Sequence, residues 1–202
     1  QAHARFGLFS LLFGGKSLTF DATLEQGEIE GVYEEDGEQK RIDATLTKID
    51  VGKLGLLESL ISLPAKVTLE GDFDLTLGKE PTKSNGTVKI TFKNMVVGDG
   101  VAKLKIGSMG GLTIDPVELG DVVMDLDVKD GVGQVKKLSA TGSDVELDGS
   151  GEVRLTDPLS RSRLDILLRI KFTDHYKNKS GRTKAMFSLL DSNNGPQLRA
   201  AK

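Results

Sequence analysis

The sequence has 202 residues, with 27 basic and 30 acidic side chains and a formal net charge of −3 at pH 7. This balance argues against a generally basic nucleic-acid binder, because such proteins gain affinity from many Lys and Arg side chains on phosphates. Cysteine is absent, which excludes disulfides, thiolate nucleophiles and cysteine-ligated metal sites.

Alternation of apolar and polar residues predicts β-strands along most of the chain. Strict alternation is typical of a strand with one buried face and one solvated face. A helix would instead need apolar residues three and four positions apart. The alternating segments are residues 17–25, 66–77, 88–92, 122–128, 145–155 and 164–172.

Glycine-containing pairs between these segments predict the turns. Glycine accepts the positive φ of a two-residue hairpin turn, and Asn or Asp tolerates it. The pairs are Asp36-Gly37, Asn85-Gly86, Asp99-Gly100 and Asp130-Gly131. Gly149 and Gly151 fall inside an alternating run on its apolar parity, so a bend or bulge is expected there.

Three apolar segments break the alternation and are candidate short helices. They are residues 2–13, residues 51–63, which Pro64 ends, and residues 182–190. The last could extend a helix that begins near Thr173. Core packing is the simplest role for their apolar stripes.

These patterns together predict a mainly β fold in a single domain spanning residues 1–202. We expect an antiparallel meander that forms a curved, partly open sheet or a sandwich, with two or three short helices. Because exposing its apolar face to water would be costly, the sheet must be covered or must form a groove for apolar ligands. The candidate groove residues are Leu69, Phe73, Leu75, Val88, Ile90, Phe92, Leu126, Ile166, Leu168 and Ile170.

The search for catalytic motifs predicts a protein that is not an enzyme and has no cofactor or metal. His3 and His175 are the only histidines, and a surface position is the simplest reading of His175. Gly14-Gly15-Lys16-Ser17 fails as a phosphate loop, because the required first glycine falls on Ser10 and a strand follows.

A basic segment is the one strong charge asymmetry in the sequence. Between Arg161 and Lys184 there are eight basic side chains and two acidic ones, Asp165 and Asp174. They could complement acidic neighbours in the fold, or form a docking surface for anionic lipid headgroups or an acidic protein. The candidate docking residues are Arg161, Arg163, Arg169, Lys171, Lys177, Lys179, Arg182 and Lys184.

Parts of the sequence resemble known bacterial envelope proteins. Residues 6–20, FGLFSLLFGGKSLTF, resemble the opening unit of AsmA-like envelope proteins. Residues 110–192, which include GGLTIDPVELGDVVMDLDVKDG and YKNKSGRTKAMFSLLDS, resemble the C-terminal part of the type II secretion system protein N family. Residues 55–83, GLLESLISLPAKVTLEGDFDLTLGKEPTK, are similar to the middle of that family.

This resemblance implies a periplasmic, non-enzymatic accessory component of the type II protein secretion apparatus. Its expected partners are other secretion-system envelope subunits, bound through protein contacts. The family is normally held by one N-terminal inner-membrane helix, which we expect to precede Gln1 in the full-length protein. AsmA-like relatives imply an alternative, a lipid-binding or lipid-transfer module that holds phospholipid acyl chains on an apolar concave sheet face.

Overall fold

The computed structural model describes residues 2–6, 16–24, 26–53, 63–105, 111–158 and 161–191. The strands are β1 (Ala2–Phe6), β2 (Lys16–Leu24), β3 (Gly27–Asp36), β4 (Gln39–Asp50), β5 (Ala65–Leu77), β6 (Asn85–Val97), β7 (Lys103–Lys105), β8 (Gly111–Thr113), β9 (Val117–Lys129), β10 (Val132–Ala140), β11 (Val145–Arg154) and β12 (Arg163–Phe172). The helices are a 3-10 turn at Pro81–Lys83, α1 (Asp174–Lys177) and α2 (Gly181–Asp191).

The fold is one ten-stranded antiparallel sheet. Its strand order is β1-β2-β3-β4-β5-β6-β9-β10-β11-β12, and β7 pairs with β8 in a separate hairpin. Strands that are adjacent in the sheet are consecutive in the chain, except that β7 and β8 lie between β6 and β9 in the sequence. The sheet is not closed, since β1 and β12 are its two edges. The predicted mainly β, antiparallel meander with short helices is therefore confirmed.

Two of the predicted hairpin turns lie where the sequence placed them. Gly37 has a φ of 58° in the turn between β3 and β4. Asp130 and Gly131 form the two-residue turn between β9 and β10, with φ of 51° and 76°. Positive φ at both central residues is the geometry of a type I′ turn, which matches the twist of the strands it joins.

The prediction of a turn at Asn85-Gly86 is wrong. Both residues lie in β6, and the chain reverses earlier, through the 3-10 turn at Pro81–Lys83. The Asn-Gly pair suggested a turn because glycine accepts a positive φ. Gly86 does have a positive φ, 145°, but it lies within the strand. Asp99-Gly100 lies in the loop between β6 and β7 and does not form a tight hairpin within the ten-stranded sheet.

Gly149 and Gly151 lie within β11, where a bend or bulge was expected. The pairing of β11 with β12 runs without a register shift, and the shift occurs on the other side, against β10 between Gln134 and Ser139. A Cβ at Gly149 would lie 2.4 Å from the Leu138 side chain. Gly149 therefore leaves room for a leucine of the neighbouring strand.

The helix predictions are correct at the C-terminal end and wrong near the N-terminus. Residues 182–190 lie within α2, as expected. The suggested continuous helix from Thr173 is instead two helices, since α1 ends at Lys177 and α2 begins at Gly181. Ala2–Phe6, part of the first candidate helix, forms β1. Residues 7–13 and 54–62 of the candidate segments lie outside the described residues.

Two apolar clusters lie at one end of the sheet. The first contains Ile49, Val51 and Val67, where β4 ends and β5 begins. The second contains Val117, Val145 and Tyr176, and here α1 and α2 pack on the sheet. We call α1 and α2 together the C-terminal cap. In the described part of the chain, no helix is long and apolar enough to cross a membrane.

Candidate functional site

The strand register places the alternating apolar side chains of nine strands on one side of the sheet. Phe73 of β5 lies opposite Val88 of β6, and Val88 lies opposite Leu126 of β9. Side chains of directly paired residues point to the same side. We call this side, from β2 to β12, the apolar face.

The same register continues through the last two strands. Leu147 of β11 lies opposite Ile170 of β12, and Gly149 and Gly151 lie opposite Leu168 and Ile166. Glycine therefore lies beside a large side chain of β12 at two successive positions of the face.

All ten candidate groove residues lie on the apolar face. They come from four strands, β5, β6, β9 and β12. Val88 and Leu126 are buried, and most of the others are half-buried. Leu168 and Ile170, on the edge strand, are 39 % and 47 % exposed. The predicted groove residues therefore share one surface of the molecule. The exposure of their side chains rises toward β12.

The few charged side chains that the register places on the apolar face lie together at one end of it. Lys16, Glu35 and Lys40 occupy successive positions in one row across β2, β3 and β4. From Leu18 to Ala22 on β2, and along the following strands to β12, the residues that the register places on this face are uncharged. The interior of the face therefore carries no charged side chain.

An open pocket of about 550 Å³ lies at this charged end. It is lined by the β3–β4 turn, by the β5–β6 loop and by the segment that follows β11. Leu77 and Leu155 contribute apolar surface, and the charged lining consists of Lys40, Lys79, Glu38 and Asp157. Lys79 and Glu38 form an ion pair of 2.7 Å. Because β4 and β11 are five strand positions apart, about 24 Å in a flat sheet, a shared pocket indicates that this end of the sheet curls.

The C-terminal cap covers the opposite end of the face. Tyr176 is 1 % exposed, and its ring stacks on Phe172 with 5.2 Å between centroids. Phe187 of α2 packs edge-on against Phe172 at 5.2 Å. The Tyr176 hydroxyl donates a hydrogen bond of 2.7 Å to the backbone carbonyl of Asp115. The apolar face is therefore capped at one end and has a pocket at the other.

A buried carboxylate holds the cap in place. The Asp144 side chain is fully buried just before β11, and its Oδ2 lies 2.8 Å from the Lys179 Nζ. The same oxygen accepts a hydrogen bond of 2.8 Å from the backbone N–H of Glu118. Its Oδ1 lies 2.9 Å from the Nδ1 of His175, whose side chain is 65 % exposed. One carboxylate thus joins α1, the segment between the helices and the start of β9.

The charges of this cluster reinforce one another. Burial by itself would raise the pKa of Asp144, but the Lys179 ammonium, the Glu118 N–H and His175 outweigh it and hold this pKa below its ordinary value. Burial likewise works to lower the pKa of Lys179, yet Asp144 and Glu118 raise it. Both groups are therefore charged at neutral pH.

A second carboxylate anchors the start of α2. Asp115 accepts hydrogen bonds from the hydroxyls of Ser180 and Thr183, and these bonds lower its pKa. The Ser180 hydroxyl in turn accepts the N–H of Thr183 at 3.1 Å, which caps the helix start. Arg182 Nη1 lies 3.9 Å from Asp115.

Acidification should therefore loosen the cap. The lowered pKa values of Asp144 and Asp115 mean that both carboxylates stabilise the fold above the ordinary Asp pKa, about 3.9. This stability is lost as the pH falls through their lowered folded-state values. In a Tyr33→Phe variant, Tyr176 is the remaining tyrosine, and its near-ultraviolet circular dichroism should fade below about pH 4.

The double variant Asp115→Asn/Asp144→Asn, in the same Tyr33→Phe background, is the control for this titration. Its signal should be weaker at neutral pH and should no longer fall with acid. An equal acid transition in both proteins would assign the pH dependence to other carboxylates.

The structure divides the candidate basic docking residues into two groups. Four have carboxylate partners: Arg169 with Asp148, Lys171 with Glu146, Lys179 with Asp144 and Arg182 with Asp115. Arg163 begins β12, about 26 Å along the strand from Lys171, and Arg161 lies two residues before it. Lys177 lies 5.8 Å from the centre of the Phe187 ring, and Lys184 is exposed on α2. The pairings favour the simpler interpretation, in which these charges complement acidic neighbours.

The Asp144 cluster is the feature that sequence reasoning missed. His175 lies at the surface, as predicted, but the sequence did not indicate its pairing with Asp144, 31 residues earlier. A usable signal was Thr173, an N-cap residue directly after an alternating strand, whose hydroxyl accepts the N–H of Tyr176. The partners of Asp144 are far apart in sequence, so no local pattern identifies them.

Among the described residues, no three His, Asp or Glu side chains group in a way that could hold a metal ion. Comparisons of the chain with protein-family models, with curated proteins and with solved structures find no match.

Proposed function

We propose that this protein is a non-enzymatic module that holds lipid acyl chains along its apolar face. The observation that carries the proposal is the continuity of that face, which runs across nine strands with uncharged positions throughout its interior. Many of its side chains stay only partly buried within the described fold. Covering such surface gains roughly 25 cal/mol per Å², so an apolar ligand is favoured.

The two ends of the face suit an amphiphile. The C-terminal cap places Tyr176 and Phe187 over one end, where an acyl chain would stop. The pocket at the other end combines Leu77 and Leu155 with two lysines and two acidic residues, and Lys79 is paired with Glu38 at 2.7 Å. A polar head placed there would lie at the border between solvent and the apolar interior.

Titration of the delipidated protein with dansyl-labelled undecanoic acid tests this function. We expect saturable binding, with dansyl emission shifted to shorter wavelength because the label enters an apolar site. Unlabelled oleate should displace the probe. A linear, non-saturable signal, or a saturable signal that oleate does not reduce, would contradict acyl-chain binding on the face.

The second candidate is an accessory role in the type II secretion apparatus, exerted in the periplasm through contacts with other envelope subunits. It rests on the resemblance of residues 110–192 to the type II secretion system protein N family. The exposed apolar side chains of the edge strand β12 also favour it, because unpaired edge strands recruit partner chains.

In-cell crosslinking tests this role. A photo-crosslinker at Leu164, which is 68 % exposed, should capture secretion-system subunits, whereas one at Gly37, in the β3–β4 turn, should not. Equal capture at both positions, or capture of no such subunit, would argue against it.

A further inference from the structure

The edge strand β12 has the features of an interface and few of the usual protections of a sheet edge. It pairs with β11 over ten consecutive residues without a bulge, and within the described residues its other side pairs with no strand. It contains no proline. Leu164, Leu167, Leu168 and Ile170 are all more than a third exposed. Natural sheets normally protect such an edge with bulges, proline or charged side chains. Of these, β12 has only the charged side chains, Arg163, Asp165, Arg169 and Lys171.

Asp165 is an exposed carboxylate on the edge strand. It lies directly opposite Glu152 of β11, and like charges in a cross-strand pair are destabilising. Glu152 is already paired with Arg154, and Asp165 makes no ion pair or hydrogen bond in the described structure. Asp165 is therefore free to pair with a cation of a second chain.

We propose that β12 pairs antiparallel with β12 of a second copy, with Leu168 facing Leu168 across the twofold axis. The pairing then places Ile166 opposite Ile170 and Asp165 opposite Lys171 of the other copy. Apolar side chains meet apolar ones on one side, and two Asp–Lys pairs form on the other. Because the contact is twofold and self-complementary, it closes at a dimer.

Charge selects this register over its neighbours. Shifting the axis to Leu167 would place Arg163 opposite Lys171, and shifting it to Arg169 would place two arginines face to face. Shifting it to Ile166 would oppose Arg163 and Arg169. These alternatives follow from the order of residues along β12. Of these four registers, only the one centred on Leu168 pairs residues of opposite charge and places no two residues of like charge opposite each other.

The dimer would extend the apolar face across both copies. Leu164, Leu168 and Ile170 belong to that face, so their exposure at the edge would fall when a second sheet continues it. The proposed dimer concerns assembly alone and is tested without lipid. The dimer can therefore be absent while acyl chains still bind, and acyl-chain binding can be absent while the dimer still forms.

Cysteine crosslinking of the full chain tests the register, since the native sequence contains no cysteine. Residues facing each other in antiparallel strands have Cα atoms about 4.5–5.5 Å apart, within reach of a disulfide. Leu168→Cys should therefore give a covalent dimer under mild oxidation. Ile166→Cys and Ile170→Cys should crosslink when mixed but not alone.

Two variants serve as controls for chance collisions. Val101→Cys replaces the most exposed large apolar residue of the described chain, at 76 %, and should remain monomeric. Leu167→Cys should also remain monomeric, because its side chain lies off the axis on the other face. Crosslinking of Leu167→Cys in place of Leu168→Cys, or equal crosslinking of Val101→Cys, would overturn the proposal.

Charge exchange gives a second readout, by sedimentation of the non-covalent protein. Asp165→Lys alone and Lys171→Asp alone should each raise the dimer dissociation constant at least tenfold, because each opposes like charges twice. Mixing the two variants should restore dimers, since both pairs then become Lys–Asp. Within its own chain, Asp165→Lys faces Glu152 favourably, whereas Lys171→Asp loses the ion pair with Glu146. Far-ultraviolet circular dichroism therefore checks that both variants are folded. A wild-type protein that stays monomeric, or a mixture that does not recover dimers, would overturn the proposal.

Discussion

Replacing Tyr176 with alanine should lower the free energy of unfolding by about 4 kcal/mol, a typical cost for truncating a buried aromatic side chain. Tyr176 is 1 % exposed and touches Phe172, Phe187 and the start of β9. Its removal leaves a cavity between the cap and the sheet that neighbouring backbone cannot fill. Urea unfolding followed by far-ultraviolet circular dichroism measures the loss.

Tyr176→Phe separates the ring from the hydroxyl. It keeps the aromatic packing and loses the hydrogen bond to the carbonyl of Asp115, so it should cost about 1 kcal/mol. Burial raises the pKa of Tyr176 to about 12, which keeps the hydroxyl protonated as a donor throughout the measurement. A loss from Tyr176→Ala no greater than that from Tyr176→Phe would mean that the cap does not pack as described.

Asp144→Ala should cost about 3 kcal/mol, because it leaves a largely buried ammonium and a buried N–H without their partner. Lys179 is 26 % exposed and keeps Glu118 at 3.6 Å, which limits the loss. The backbone N–H of Glu118 has no such substitute. Urea unfolding at neutral pH measures the change.

Asp148→Ala is the matched control for this substitution. Asp148 also pairs with a cation from the C-terminal part of the chain, Arg169, at 3.4 Å, but both side chains are more than 70 % exposed. Exposed pairs contribute at most about 1 kcal/mol. Equal losses from the two substitutions would show that the Asp144 cluster does not hold the cap.

Alternation predicted the strands well where their apolar residues are large and strictly spaced. It identified β2, β5, β6, β9, β11 and β12, and with them the candidate groove. The strands β3, β4 and β10 were not among the alternating segments, because charged and small residues dominate them. They form because the hairpin turns bring them beside stronger strands, an effect of tertiary context that a local window does not contain.

The sequence predicted which residues share the apolar face, but not which side chains of different strands and helices contact one another. Parity along each strand selects the residues of one face, and that is a local property. That Gly149 lies beside Leu138 and Leu168 depends on register between strands. The anchoring of the cap by Asp144 and Asp115 depends on contacts 35 and 65 residues apart. Those contacts arise only once the meander has folded.

The most direct test of the apolar face compares Met124→Gln with Val123→Gln in the dansyl-fatty-acid titration. Met124 lies on the apolar face between Ile90 and Leu138, whereas its neighbour Val123 points to the other side, between Thr91 and Ser139. Glutamine is close to methionine in size, so the first change places an amide on the face with little change of shape. Met124→Gln should weaken binding about tenfold, or about 1.4 kcal/mol, and Val123→Gln should leave it unchanged. Equal affinity in both variants would contradict the claim that this face holds the acyl chain.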